Sequence, residues 1–156
     1  MPRRSLETAT GRVTLTEKDG AIAGLTWGGA QCDEDSPLLR RAIAQLEDYF
    51  AGRLQVFDLP LEPAGNGLQQ AVWREMRAIP FGETRTYGEI ATAVGNLPQP
   101  VGQACGANPI PVLIPCHRVV AAGGGSGGFS APGGLETKYS LLKLEGARFA
   151  YQPKLL

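Results

Sequence analysis

The chain has 156 residues, 43% hydrophobic and 19% charged, with 15 basic against 15 acidic side chains, the composition of an ordinary globular protein with room for one domain or two small ones. No stretch approaches the ~18 apolar residues of a membrane span, and the charged opening Met1-Pro2-Arg3-Arg4-Ser5 leads into no apolar signal region, so no membrane association and a cytoplasmic location are expected. Three irregularly spaced cysteines, Cys32, Cys105 and Cys116, and a single histidine, His117, argue against a disulfide scaffold or structural zinc; no metal and no cofactor are expected.

A net charge of zero argues weakly against a nucleic-acid partner, because phosphate neutralisation dominates such binding. The charge is unevenly spread, however. Residues 1–65 hold seven Lys or Arg against ten Asp or Glu, and residues 66–156 hold eight against five. If DNA is bound, the second half binds it.

In chain order, Arg12 to Thr16 and Ala21 to Trp27 are partly alternating apolar runs joined across Asp19-Gly20, a dipeptide suited to a tight turn, and predict a β-hairpin. Ser36-Pro37 reads as a helix N-cap with proline in the first turn. Leu39, Ala42, Ile43, Leu46, Tyr49 and Phe50 follow at helical spacing until Gly52. Gln55 to Leu61 is a short apolar run that could extend the sheet, and Glu62 to Gly67 reads as a linker, which puts a domain boundary near residue 66. Beyond it, Leu68, Val72 and Met76 recur at intervals of four, closed by Ile79-Pro80-Phe81-Gly82. Thr86 and Glu89 form a capping-box pair for a short helix through Ile90, Ala91 and Val94 that stops at Gly95. After a brief turn a second short helix is expected over about Gln99 to Ala107, giving a helix-turn-helix layout. A proline-punctuated apolar segment then carries Pro115-Cys116-His117-Arg118. A glycine-rich loop, Gly123 to Gly128, leads to a last helix whose buried stripe is expected to hold Leu135, Tyr139, Leu142 and Leu144.

The fold class is therefore α+β: a small N-terminal β-sheet-and-helix domain over 1–65, then a mostly helical, winged-helix-like domain over 66–156 with the helix-turn-helix. Cys116 and His117 place a soft nucleophile beside the one side chain of this chain that titrates near neutral pH. A base near a thiol raises the thiolate fraction, and thiolate is the attacking form. A buried structural cysteine beside a packing histidine is the other reading of the same pair. A Cys-His hydrolase needs its histidine and an orienting Asn or Asp from elsewhere in the fold, and this chain has no second histidine. The glycine-rich loop lacks the Lys-Ser/Thr pair of a phosphate-binding P-loop and reads as an active-site rim.

Taken together, several spaced blocks resemble one family. Ile114-Pro115-Cys116-His117-Arg118-Val119-Val120 is similar to the active-site signature of O6-alkylguanine-DNA alkyltransferases. Gln70 to Trp73, Ile79 to Thr84, Thr86 to Ala91, Gly102 to Pro109, Gly133 to Leu135 and Leu144 to Gly146 match in order. The resemblance implies single-use repair of alkylated DNA. Cys116 would accept the alkyl group, with His117 taking its proton through a water and Glu145 orienting His117. Tyr87 would help rotate the nucleotide and protonate the departing guanine, and Asn108 would tie the recognition helix to the active-site segment. The same resemblance sets Gln99, Gly102, Gln103 and Cys105, with Arg118, Val119, Phe129 and Ser130, against DNA or the extruded base, and Ser130 would offer a backbone N–H to the guanine oxygen. Alkylated DNA is the expected partner and a monomer the expected state.

Two departures from the family pattern stand out. An arginine usual just ahead of the Val101-Gly102 block is missing, Gln99 standing nearest that place, and no Lys or Arg lies between Arg85 and Arg118. Phe129 stands where tyrosine is common. Rival readings are a lesion-binding or signalling protein that reacts slowly or on another nucleic acid, and a redox-active thiol protein that would need Cys105 near Cys116.

Overall fold

A computed structural model of the chain describes residues 1–122 and 134–147. The chain divides into two compact units, Met1–Gly65 with Pro109–Leu113, and Asn66–Asn108 with the chain from Ile114 onward.

The first unit is built on an antiparallel sheet of three strands, β1 (Arg3–Thr8), β2 (Gly11–Lys18) and β3 (Ala21–Trp27), in the order β1-β2-β3. The β2–β3 hairpin turns on Asp19 and Gly20, both at positive φ, 51° and 79°. That pair of left-handed residues matches the twist of the flanking strands. The register sets Val13 opposite Trp27 and Leu15 opposite Leu25, and a bulge falls between Thr16 and Glu17. Strand β1 extends the sheet by main-chain pairing to β2; its residues Arg-Arg-Ser-Leu-Glu-Thr bury none of their side chains fully, so it has no apolar alternation from which to be read.

Helix α1 (Pro37–Phe50) lies against this sheet. The Ser36 side chain accepts the Leu39 N–H, and Leu39, Ala42, Leu46 and Tyr49 form the buried face. The run Gln55 to Leu61 does not become a strand. It contributes a single parallel bridge between Ile22 and Leu61, made by the Ile22 N–H to the Pro60 carbonyl and the Glu62 N–H to the Ile22 carbonyl. Pro60 has no N–H with which to continue a ladder. Pro109–Leu113 belongs to this unit too, where the Leu25 N–H donates to the Pro109 carbonyl at 2.9 Å. Within that segment Val112 is buried and held at φ 72°, a conformation that strains a β-branched residue by about 1–3 kcal/mol and persists only when its surroundings impose it.

The second unit opens with α2 (Gly67–Arg77), capped by Asn66, whose side chain accepts the Gln69 N–H while the Gln69 side chain accepts the Asn66 N–H. Val72, Trp73 and Met76 are its buried face, and Leu68, expected among them, is half-buried. The Trp73 indole donates to the Ala104 carbonyl at 2.8 Å, docking α2 on α4. Strand β4 (Arg85–Thr86) runs directly into α3 (Tyr87–Val94), whose Thr86–Glu89 capping box is complete and whose C-cap, Gly95, is left-handed at φ 69°. Helix α4 (Pro98–Gly106) follows after a tight turn. A 3₁₀ turn at Cys116–Arg118 leads into β5 (Val119–Val120), which pairs in parallel with β4, and α5 (Leu135–Leu144) is the last described helix.

On α5 the buried stripe differs from the expected one. Thr137, Lys138, Leu141 and Leu142 face inward, whereas Leu135 is 41% exposed and Tyr139 and Leu144 are half-buried. The cause is polar: the Lys138 ammonium donates to the Val119 carbonyl at 2.6 Å, and Glu145, two turns further on, meets His117 and Arg118. Those contacts set the rotation of the helix, and the leucines follow. Phe129, Ser130 and the glycine-rich loop lie outside the described residues.

The reciprocal pair of hydrogen bonds between Asn66 and Gln69 gives a direct test of how α2 is held. Asn66→Ala should lower unfolding free energy by about 1 kcal/mol, measured by urea denaturation, and Asn66→Asp should be nearly neutral. No loss in the alanine variant would show that packing of Trp73 alone fixes the helix start.

Candidate active site

The site is assembled on a short, heavily constrained turn. Pro115 sits at φ −81° and ψ 70°, and the Cys116 N–H donates to the Ile114 carbonyl at 2.8 Å across it, which is an inverse γ-turn. The Arg118 N–H then donates to the Pro115 carbonyl at 3.0 Å, closing the 3₁₀ turn. Ile114 and Pro115 are buried, so the turn is anchored from below, and Cys116 itself is left partly accessible. Asn108, just beyond α4, donates through Nδ2 to the Ile114 carbonyl at 2.8 Å.

His117 and Arg118 point together toward Glu145, the C-cap of α5. His117 Nε2 lies 2.7 Å from Glu145 Oε2, and Arg118 donates from Nε to Oε1 at 2.8 Å and from Nη2 to Oε2 at 3.0 Å. Arg118 Nη1 also donates to the Ile79 carbonyl at 2.7 Å, and its guanidinium lies 5.9 Å from the centre of the Phe81 ring. All three side chains are buried. A carboxylate only accepts, so the hydrogen-bond chemistry places the imidazole proton on Nε2 and leaves Nδ1 as an acceptor. Nδ1 is buried and has no hydrogen-bond partner among the described residues.

The electrostatics are those of a resting acid and a resting base. Burial pushes the Cys116 thiol above its usual range, opposed by the Asn108 side chain and by the charge of Lys138. For His117, burial lowers the pKa and outweighs the raising effect of Glu145, and Arg118 and Lys138 push in the same direction as burial. At neutral pH the pair is therefore a thiol and a neutral imidazole able to take a proton. Cys105, on the inward face of α4, is pushed up to about 12, first by burial and then by the charge of Cys116. Cys32 lies in the other unit.

Lys138 is the residue that sequence reasoning missed. It is wholly buried, binds the Val119 carbonyl, and sits 5.8 Å from the centre of the Tyr87 ring. Burial lowers its pKa to about 8, and its charge in turn favours ionisation of both Cys116 and Cys105. The signal was the spacing: Lys138, Leu141, Leu142 and Glu145 recur at i, i+3, i+4 and i+7, one face of a helix.

Tyr87 is half-buried at the first position of α3, with Gly102 of α4 close to its ring: a Cβ on Gly102 would meet Tyr87 Cδ1 at 3.9 Å. Gln99 and Gln103 are exposed on α4. Three positions that the resemblance set against DNA or the extruded base are buried. Cys105 is on the core side of α4, Val119 lies in β5, and Arg118 is consumed by Glu145 and the Ile79 carbonyl. Among the described residues no group of three or more His, Cys, Asp or Glu lies where it could hold a metal ion.

A partly accessible thiol followed by a histidine that a carboxylate holds, carried on a helix-turn-helix unit, defines a nucleophilic-cysteine protein built on a nucleic-acid-binding scaffold. The family model for 6-O-methylguanine DNA methyltransferase, DNA binding domain, matches residues 67–147. The methylated-DNA–protein-cysteine methyltransferase of Methanosarcina acetivorans is 48% identical over 116 residues, 73% of either chain. That of Mycolicibacterium paratuberculosis is 39% identical over 151 residues, covering 91% of this chain and 90% of its own. Among solved structures, Mycobacterium tuberculosis OGT in complex with DNA superposes with a TM-score of 0.85 at 37% identity, covering 94% of this chain and 93% of that one. The chain belongs to the 6-O-methylguanine DNA methyltransferase family.

The lowered pKa of His117 ties stability to pH with a definite sign. As pH falls below the ordinary imidazole value of about 6.5, the unfolded chain takes the proton before the folded one, so stability present above that pH is lost on acidification. Between pH 6.5 and 5.5 the wild type should lose up to about 1 kcal/mol more unfolding free energy than His117→Asn, measured by urea titration. Parallel pH dependences would mean that the fold does not shift the His117 pKa, and a reversed difference that it holds His117 protonated.

Proposed function

We propose that this protein repairs DNA by moving an alkyl group, once and irreversibly, from O6-alkylguanine to Cys116. The observation that carries the reading is the buried His117, held by Glu145 through Nε2, with Nδ1 left as an acceptor next in sequence to a partly accessible thiol. The thiol proton passes through a water to Nδ1, and the sulfur attacks the alkyl carbon in line with the bond to O6. The carbon–oxygen bond breaks with its electron pair on guanine, whose departure is completed by a proton from Tyr87. The new thioether has no leaving group, so each chain acts once.

Arg118 serves this chemistry from behind, holding Glu145 so that Glu145 can hold His117. Asn108 keeps Ile114, and with it the γ-turn under Cys116, in register with α4. Helix α4 takes the DNA through Gln99, Gly102 and Gln103, and Ser130 and Phe129 complete the base site. Residues 66–156 carry DNA binding and alkyl acceptance, and residues 1–65 support them. O4-alkylthymine is a second substrate of the same chemistry. The protein acts as a monomer in the cytoplasm without a membrane partner; no helix among the described residues is long and apolar enough to cross one.

Incubation with an oligonucleotide containing O6-methylguanine should place one methyl per chain on the peptide carrying Cys116, read by intact mass and peptide mapping, and Cys116→Ala should accept none. A methyl found chiefly on Cys32 or Cys105 would overturn the assignment.

A further inference from the structure

Any enzyme that reacts with a base inside a duplex must unstack it, and the void left behind has to be held open by something. Proteins that pry base steps apart do so with an inserted side chain, often an apolar one such as Leu, Ile, Met, Phe or Pro. The helix-turn-helix of this chain carries such a side chain. Of the large apolar residues most exposed among the described residues, Met1, Val56, Leu97 and Leu135, only Leu97 lies in that motif, and it is 70% exposed. A lone exposed leucine usually needs no explanation; this one stands at the tip of a turn that is fixed on both sides.

On the α3 side, Gly95 is left-handed and the Asn96 N–H donates to the Ala91 carbonyl at 2.9 Å. The Leu97 N–H is taken by its neighbour, Asn96 Oδ1, at 2.8 Å. On the α4 side, Leu97 is the N-cap, and Pro98 and Pro100 fix the first turn of the helix. The same two prolines remove amides that would otherwise open a helix N-terminus to phosphate. No Lys or Arg lies between Arg85 and Arg118. The tip thus offers Leu97, Pro98 and Pro100 with one amide, from Gln99, at the first three helical positions. It is poor in phosphate donors and rich in apolar surface, the chemistry of a base stack rather than of a backbone. Helix α4 spans Pro98–Gly106 and leads through Asn108 to the turn that bears Cys116; at 1.5 Å per residue, the tip stands about 13 Å along the helix from that end.

We propose that Leu97 is the wedge that enters the DNA base stack when the alkylated nucleotide is extruded toward Cys116. Gln99, beside it, contacts the strand edge without filling the gap. This rests on the repair reading above and adds to it the residue that opens the duplex. An apolar wedge acts by stacking and releases no counterions, so its effect is independent of salt, unlike that of a phosphate contact.

The test is single-turnover transfer to Cys116 from O6-methylguanine in a duplex, from the same strand alone, and from free O6-benzylguanine, for wild type, Leu97→Ala, Leu97→Phe and Gln99→Ala. Leu97→Ala should lose about tenfold or more on the duplex, in line with an unstacking cost of a few kcal/mol. It should stay within about twofold of wild type on the free base, which also shows that the variant is folded and its thiol competent. Leu97→Phe should recover duplex activity, and Gln99→Ala, which removes a strand contact but not the wedge, should lose less on the duplex than Leu97→Ala. The salt slope of duplex binding should be the same in Leu97→Ala as in wild type. A duplex rate unchanged by Leu97→Ala, or a change in salt slope, would overturn the wedge. A wild type that takes an alkyl group from none of the three substrates would overturn the repair reading, and the wedge with it.

Discussion

One carboxylate, Glu145, organises the site, because it is the single buried acceptor shared by Arg118 and His117. A buried charge is tolerated only when paired and hydrogen-bonded. The guanidinium fork meets both oxygens of Glu145, and the remaining acceptor capacity of Oε2 goes to the imidazole. Several features follow from that placement. Arg118 turns inward although the sequence around it suggests contact with DNA. Helix α5 rotates to bring Glu145 and Lys138 to one face. The imidazole has its Nε2 committed to Glu145, so that Nδ1 alone remains for chemistry.

The arrangement is better suited to reactivity than to stability. Replacing a buried ion pair by apolar groups is often neutral or stabilising, and this unit buries Arg118, Lys138 and Glu145 together. What they provide is a controlled proton inventory. Burial keeps the Cys116 thiol protonated and His117 neutral at rest. The nearby ammonium of Lys138 favours negative charge as it develops on sulfur. Selectivity among the cysteines follows from access: Cys105 feels the same ammonium but is buried on the core face of α4, whereas Cys116 is partly accessible. Tyr87 joins the two helices of the DNA-binding motif to this interior, with Gly102 near its ring and Lys138 on its face.

Local signals were legible in the sequence and long-range ones were not. Ser36, Asp19-Gly20, the Thr86–Glu89 box and Gly95 act within a turn of themselves, and each appears in the structure doing what its chemistry suggests. Strand β1 was invisible because its side chains are only partly buried and its partner supplies the pairing. Gln55 to Leu61 looked like a strand because apolar content alone does not reveal that Pro60 breaks a ladder after one bridge. Leu135 and Leu144 drew the stripe of α5 to the wrong face, since hydropathy cannot weigh a lysine that reaches a buried carbonyl. The site was partly legible. Cys116 and His117 stood out by adjacency, whereas the place of Glu145 came only from resemblance. The inward turn of Arg118 and the exposure of Leu97 had no sequence signal, because patterning assigns charge to the surface and leucine to the core.

The central claim is that burial keeps His117 neutral while Glu145 fixes its proton on Nε2, leaving Nδ1 available to the thiol. A single histidine in the sequence makes this directly observable. In tag-free, nitrogen-labelled protein, long-range nitrogen–proton correlation spectra report the tautomer and charge of that one ring. At pH 7 the account predicts a neutral imidazole with the proton on Nε2 and an unprotonated Nδ1. An imidazolium at that pH, or a proton resident on Nδ1, would contradict it.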